Sequence, residues 1–237
     1  MKSEINEKVI IVGGGLSGPV MAMYLSEKGY RVDIYERRPD MRKENISAGR
    51  SINLAISKRG ISALEEIGVF HKISSQIIPM YGRKIHNIDG STWFLPYGRP
   101  DQYINSVSRS ELNILLMTEA EKTDQIRFLF QHSCSGMDLE SGTVFITNEV
   151  NGDQRTLQGT PVIAADGSGS AVRESMIESG HISGSFDPLG HSYKELSIPP
   201  DKSGEFQLDP NALHIWPRGK FMLIALPNMD GSFTVTL

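Results

Sequence analysis

Three glycines at fixed spacing constrain this chain more than any other feature. Gly13-x-Gly15-x-x-Gly18 follows the apolar run Lys8–Val12 and opens a helical stretch over about residues 16–28. A second β-like run, Arg31–Glu36, ends on an acid eighteen residues after the last glycine. Strand, glycine turn, helix and strand make a βαβ opening, and in that context each glycine has its own task. The first permits a tight turn, the second lets backbone approach a pyrophosphate, and the third lets helix pack on strand. The N–H groups at the helix start then face the anion, and Glu36 is placed to hydrogen-bond a ribose. Pro19 is compatible with the first helical turn, where its missing N–H has no intrahelical partner. Arg37 and Arg38 come next, either as readers of a 2′-phosphate or as solvated charge; the carboxylate at position 36 would repel that phosphate, so an adenosine lacking it is expected.

The rest of the chain extends this opening. Ser57 is expected to cap a helix carrying Ile61, Leu64 and Ile67 on one side, and Gly68 stops it. Ser108 with Glu111 forms a capping box for a second helix reaching about residue 122. Between them, residues 84–95 read as a hairpin in which Asp89-Gly90 supplies the positive φ angles of a tight turn. Residues 127–165 read as a small antiparallel meander, followed by a strand into Asp166-Gly167 and a helix over about 170–178. Beyond Gly180, six prolines separate apolar runs, so a β-rich part is expected there. The last run, 233–237, is strand-like and carries no turn or cap, which predicts that this part is incomplete.

Composition removes several classes. Lys and Arg number 24 against 28 Asp and Glu, a net charge of −4, which provides no basic surface for nucleic acid. Apolar runs such as 9–12 and 221–226 fall far short of the ~20 residues of a bilayer span, and residues 1–8 are too polar for a signal peptide. A cytoplasmic protein without a membrane span is expected. Cys134 is alone, and the six histidines have no ligand-like spacing, which argues against a disulfide scaffold and a metal site.

A second glycine site identifies a family. Asp166-Gly167-x-x-Ser170-x-Val172-Arg173 at a strand-to-helix junction resembles the Asp-Gly motif of the flavoprotein aromatic hydroxylases, the single-component monooxygenases related to p-hydroxybenzoate hydroxylase. On its residues alone, Asp166 also reads as a strand-end group capping the next helix. Three further stretches narrow the resemblance to the kynurenine-hydroxylating branch: residues 49–57 (Gly-Arg-Ser-Ile-Asn-Leu-Ala-Ile-Ser), residues 79–86 (Pro-Met-Tyr-Gly-Arg-Lys-Ile-His), and residues 106–113 with Ser108-Arg109 and Leu112-Asn113.

The resemblance implies an α/β fold: a Rossmann-like FAD-binding domain with a small antiparallel meander, from residues 1–75 and 101–180, and a β-rich substrate domain from 76–100 and 181–237, truncated at its C-terminal side. It implies FAD contacts at Gly13, Gly15, Ser17, Gly18, Tyr35, Glu36, Arg37, Arg38, Ala55, Arg109, Cys134 and Asp166. It also implies that Arg83 and Tyr97 hold the carboxylate of L-kynurenine, hydroxylated to 3-hydroxy-L-kynurenine with NADPH as co-substrate and O2. The cofactor carries this chemistry, so no catalytic side chain and no metal is expected. The surroundings of Cys134 suggest a small buried residue rather than a redox thiol. The family's third flavin motif, a Gly-Asp, has no counterpart before Leu237, so this stretch by itself is expected to be inactive. A related FAD monooxygenase of another aromatic acid, or an inactive flavin-binding fragment, are the alternatives.

Overall fold

The computed structural model describes residues 7–43, 53–158 and 161–237. Residues 49–52 of the first family stretch lie outside the described residues. The chain begins β1 (Lys8–Val12), α1 (Ser17–Glu27), β2 (Arg31–Glu36), β3 (Asn53–Ile56), α2 (Lys58–Glu66), α3 (Phe70–Ile73), β4 (Ile78–Met80), β5 (Gly82–His86) and β6 (Thr92–Pro96). It continues with β7 (Ile104–Ser108), α4 (Arg109–Ala120), β8 (Ile126–Phe130), β9 (His132–Asp138), β10 (Thr143–Asn148), β11 (Gln154–Leu157), β12 (Val162–Ala164) and α5 (Ala171–Glu178). Four strands close it: β13 (Glu195–Ile198), β14 (Ala212–Arg218), β15 (Phe221–Pro227) and β16 (Phe233–Thr236).

The chain divides into two compact units, the first from Met1–Ile46 and Asn113–Asp187. Its centre is a parallel sheet in the order β12-β1-β2-β8, with α1 against β1, β2 and β8. β1 and β2 are buried along nearly their whole length, as strands covered on both faces must be. The meander β9-β10-β11 and helix α5 supply a cover: Val144, Ile146 and Val172 pack with Ile10, Val12 and Tyr35 in one core cluster. Buried Asp33 stitches three strands, taking Arg127 of β8 at 2.8 Å and Lys8 of β1 at 2.6 Å. Burial opposes its charge, yet these two cations hold its carboxyl below the ordinary value.

The second unit comprises Ser47–Leu112 and Pro188–Leu237. A six-stranded sheet runs β13-β16-β15-β14-β5-β6, and a second sheet runs β3-β7-β4. Ala225, Phe233 and Val235 form its core with Ile198, Trp216 and Leu223, under Phe206 and Leu208 of the segment before β14. The expected division gave residues 53–75 and 101–112 to the cofactor-binding part; they cluster here because β3 and β4 both pair antiparallel with β7.

Two local expectations change. Ser57 occupies the N-cap of α2 with extended backbone, but its side chain makes no capping hydrogen bond. At the hairpin tip only Gly90 has a positive φ, 86°, and Asn87 N–H donates to Ser91 O at 2.9 Å, closing a three-residue loop in place of a tight two-residue turn. The Asp89 carboxylate accepts from Ser91 N–H at 2.9 Å, so Asp89 works as an Asx-turn residue with no need of left-handed backbone.

Candidate functional site

The glycine loop can be read residue by residue from what a side chain would meet. At Gly13, φ is 103° and an added Cβ would overlap Ala165 O. At Gly18, an added Cβ would overlap Gly13 O. Both glycines are therefore required by the fold itself, one for the turn against the end of β12, the other for close approach of α1 to the loop. Gly15 differs, because a Cβ there meets nothing within 4 Å and its φ is not in the left-handed region. Protein packing does not explain this glycine, and the open space beside it leaves its backbone accessible to a ligand. The N-cap residue of α1 beside it, Leu16, offers no side-chain cap, so among the described residues no cap competes for the first N–H groups, which suit a pyrophosphate. Ser17, its first residue, is exposed.

Glu36 ends β2 and is buried with only 7% exposure. Its carboxylate accepts Gly14 N–H at 2.7 Å, Arg38 N–H at 2.9 Å and Arg38 Nε–H at 2.8 Å. Burial pushes the carboxyl up, but the Arg38 bonds and the Gly14 N–H outweigh it, leaving the group below its ordinary value and ionised. Gly14 was not among the expected site residues, and its glycine has a local cause: a Cβ would lie 3.0 Å from the Glu36 side chain. Arg38 is an ion-pair partner of Glu36 through its Nε while the rest of its side chain stays exposed, and Arg37 is exposed too. The Tyr35 side chain points into the core cluster, at 3% exposure, leaving its carbonyl, which accepts Gly13 N–H at 2.8 Å, as the group on the loop side.

Asp166 lies at the same turn, its backbone in the position that an added Cβ on Gly13 would strike. Its carboxylate accepts Ala171 N–H at 2.9 Å and Ser170 Oγ accepts Arg173 N–H at 3.0 Å, which together cap α5. The capping alternative for Asp166 is thus realised, and it places the acid beside the glycine loop at the same time. Cys134 of β9 is half-buried and donates Sγ–H to Gly136 O at 3.4 Å. Burial, joined by the Asp166 charge, pushes its thiol up, which disfavours a thiolate.

In the second unit, Ala55 is exposed on β3, and Arg109 is the exposed first residue of α4, where Glu111 N–H donates to Ser108 Oγ at 3.4 Å as a capping box requires. The hairpin brings Arg83 and Tyr97 together, with the guanidinium carbon 4.8 Å from the phenol ring centroid. Burial raises the Tyr97 pKa while Arg83 opposes the rise. Register also reveals neighbours that sequence spacing did not. Arg83 pairs with Leu95 and Leu213, and Ile85 with Trp93 and Ile215, so one sheet face carries a single cation in an apolar strip. Among the described residues no group of His, Cys, Asp and Glu is arranged to hold a metal ion.

A family model described as "FAD binding domain" matches residues 6–189. The chain belongs to this FAD-binding family. The open position at Gly15, the uncapped start of α1 and the ionised Glu36 fit FAD. The chain is 45% identical over its whole length to kynurenine 3-monooxygenase of Myxococcus xanthus, covering 51% of that protein. It is 43% identical to kynurenine 3-monooxygenase of Dictyostelium discoideum, over 98% of this chain and 50% of that one. It thus spans about half the length of the curated relatives it matches. The fold is similar to that of p-nitrophenol 4-monooxygenase from Pseudomonas putida, with a TM-score of 0.77 at 16% identity over 98% of this chain and 57% of the other.

Proposed function

We propose that this chain is part of an FAD-dependent aromatic hydroxylase that converts L-kynurenine, NADPH, H⁺ and O2 to 3-hydroxy-L-kynurenine, NADP⁺ and water. The observation that carries the substrate class is Arg83 stacked over Tyr97 within an apolar sheet face. A guanidinium fork matches a carboxylate bidentately, and the leucine and tryptophan neighbours accept an aryl ring, the two ends of an aromatic amino acid. The names of the relatives support kynurenine in particular.

Gly15 would admit the FAD pyrophosphate, the α1 N-terminus would face its charge, and Glu36 would bind the adenosine ribose. Arg109, at the start of α4, would meet a phosphate oxygen. When bound, FAD supplies storage of the NADPH electrons and activation of O2. The chain's own part is to anchor the substrate carboxylate through Arg83, orient the ring, and exclude water with the apolar strip. Among the described residues no helix is long and apolar enough to cross a membrane, and the enzyme is proposed to act in the cytoplasm on a small molecule.

The test is NADPH oxidation by the FAD-loaded enzyme with L-kynurenine and with its decarboxylated amine. The proposal expects stimulation and 3-hydroxykynurenine from the first and little from the second. Equal responses would remove the carboxylate contact, and no response to either would point to another aromatic acid.

A further inference from the structure

In the second unit, the two sheets carry different parts of the function proposed above. The sheet β3-β7-β4 bears the flavin contacts expected of this unit, Ala55 on β3 and Arg109 directly after β7. The six-stranded sheet bears the substrate anchor, Arg83 on β5 with Tyr97 directly after β6. Among the described residues no strand ladder joins the two sheets, so other contacts must set the flavin against the ring that Arg83 holds. One such joint is the passage from β4 into β5 through Tyr81 alone, whose N–H donates to Asn211 O at 2.9 Å, while Asn211 Nδ2–H donates to Pro79 O at 2.8 Å. A single joint leaves two sheets free to rock about it.

The second joint lies two strands across the six-stranded sheet, at Pro227, the last residue of β15. Its carbonyl oxygen accepts Asn53 Nδ2–H at 2.9 Å and Ser106 Oγ–H at 2.8 Å, and Asn53 Nδ2–H also donates to Ser106 Oγ at 3.0 Å. Both hydrogens of one amide nitrogen are thus used, one on each neighbour, which neither a carboxylate nor a hydroxyl at position 53 could supply. Asn53 is 8% exposed and Ser106 1%, so an unmade bond here would leave a buried polar group without a partner. A cavity of about 310 Å³ lies beside the joint, lined by Asn53, Ile78 and Ser106 from one sheet and by Asn228, Met229 and Thr234 from the β15–β16 side. Close packing is interrupted there, and the hydrogen bonds carry the contact.

Resting on that proposed function, we infer that Asn53 and Ser106 are positioning residues: through Pro227 they fix the sheet of flavin contacts against the sheet of the substrate anchor, and so hold the substrate ring where oxygen is delivered. With the ring held, NADPH, H⁺, O2 and L-kynurenine end as NADP⁺, water and 3-hydroxy-L-kynurenine. With the sheets rocking, NADPH, H⁺ and O2 end as NADP⁺ and H2O2, and kynurenine is left unchanged. NADPH gives up two electrons in both cases; the difference is whether one oxygen atom enters the ring or both leave as H2O2. Arg83 and Tyr97 keep their own contacts, so the joint acts on how oxygen is spent rather than on affinity for the carboxylate.

The experiment measures 3-hydroxykynurenine and H2O2 formed per NADPH oxidised by the FAD-loaded enzyme, at saturating FAD and L-kynurenine, for the wild type, Asn53→Ala, Ser106→Ala and Ser106→Thr. Saturation keeps lost stability or lost affinity out of this ratio, which a merely structural role would therefore not move. In Asn53→Ala the yield of hydroxylated product per NADPH falls about threefold or more, with H2O2 making up the difference. Ser106→Ala falls less, since the Asn53 bond to Pro227 remains. Ser106→Thr returns to the wild-type ratio, because the hydroxyl is kept and the added methyl enters the cavity that Ser106 lines. If Asn53→Ala does not fold, the two Ser106 variants decide. A wild-type ratio in both Ala variants, or a Ser106→Thr ratio as low as that of Ser106→Ala, overturns the positioning role while leaving the proposed function standing. Absence of kynurenine-stimulated NADPH oxidation in the wild type overturns the proposed function and this role with it.

Discussion

The glycine cradle of the first unit and the Arg83 face of the second are built on opposite principles. In the cradle, Gly13, Gly14, Gly15 and Gly18 sit within six residues, and what each one touches is decided by the turn it belongs to. The Arg83 face is assembled by register, since Leu95, Arg83 and Leu213 come from three strands and the last pair is more than a hundred residues apart in sequence. A site made of consecutive backbone tolerates almost no change at its few positions. A site made by register can lose one side chain and keep its frame.

The largest expected effect separates the two kinds of glycine inside the cradle. Gly18→Ala places a methyl against Gly13 O, where backbone must move, and should destabilise the flavin-free protein by about 3 kcal/mol. Gly15→Ala enters open space at an ordinary φ, so the flavin-free fold should be unharmed or stabilised by about 0.4–1 kcal/mol, while FAD affinity falls at least about tenfold. Denaturant unfolding of the apoprotein and FAD titration measure the two quantities. Similar losses of stability at both positions would mean that Gly15 is structural and the cradle has no position reserved for a ligand.

On the register-built face, Arg83→Ala should weaken binding of L-kynurenine by roughly one to two orders of magnitude, from charge-assisted hydrogen bonds contributing ~1.5–3 kcal/mol. Arg83→Lys should restore part of it, since an ammonium lacks the planar fork. FAD affinity and unfolding midpoint should not move, because the side chain is exposed and the ladder of β5 is untouched. Loss of FAD in Arg83→Ala would show that the two regions are not separable in the way their construction suggests.

How much of each region was legible in the sequence follows from the same contrast. The βαβ opening, its acid at position 36 and the cap of α4 were readable because each depends on spacing along a short segment. The sheet β3-β7-β4 was not, since its strands are three to five residues long, too short for a period of two to register. Tyr35 was placed with the cofactor contacts by the family resemblance, and β2 is buried along nearly its whole length, so no alternation in its sequence shows that the Tyr35 side chain turns into the core. Arg83 and Tyr97 could be paired through their hairpin, but Leu213 and Ile215 enter only through a parallel register that no local signal specifies.

A smaller effect is expected at Glu36, where the cradle depends on a side chain. Glu36→Gln keeps an oxygen for Gly14 N–H but removes the charge opposite Arg38, and FAD affinity should fall by about tenfold or less. The pH dependence has a definite sign. Because the folded carboxyl lies below its ordinary value near ~4.5, the stability it contributes is present above that value and disappears as pH falls through the folded one. The Gln variant should lack this part of the acid limb in an unfolding series. If wild type and variant lose stability in parallel between pH 5 and 3, Glu36 is not a paired carboxylate in solution.

The smallest effect is assigned to Cys134, which the family resemblance sets beside FAD but whose thiol has no chemical task in the fold. Its Sγ–H donates one weak bond to Gly136 O, and burial together with Asp166 disfavours the thiolate. Cys134→Ala removes a half-buried sulfur from the cluster around Val144 and Ile146, at a cost of about 1 kcal/mol or less, and leaves the backbone of β9 in place. FAD affinity and turnover should stay within about twofold of wild type, a difference below ~0.5 kcal/mol. Alkylation of the wild-type thiol at neutral pH should be slower than that of a free cysteine and should accelerate only on unfolding. Fast alkylation of the folded protein, or an alanine variant that fails to hold FAD, would give the sulfur itself a role, and the cradle would then depend on side chains more than its glycines indicate.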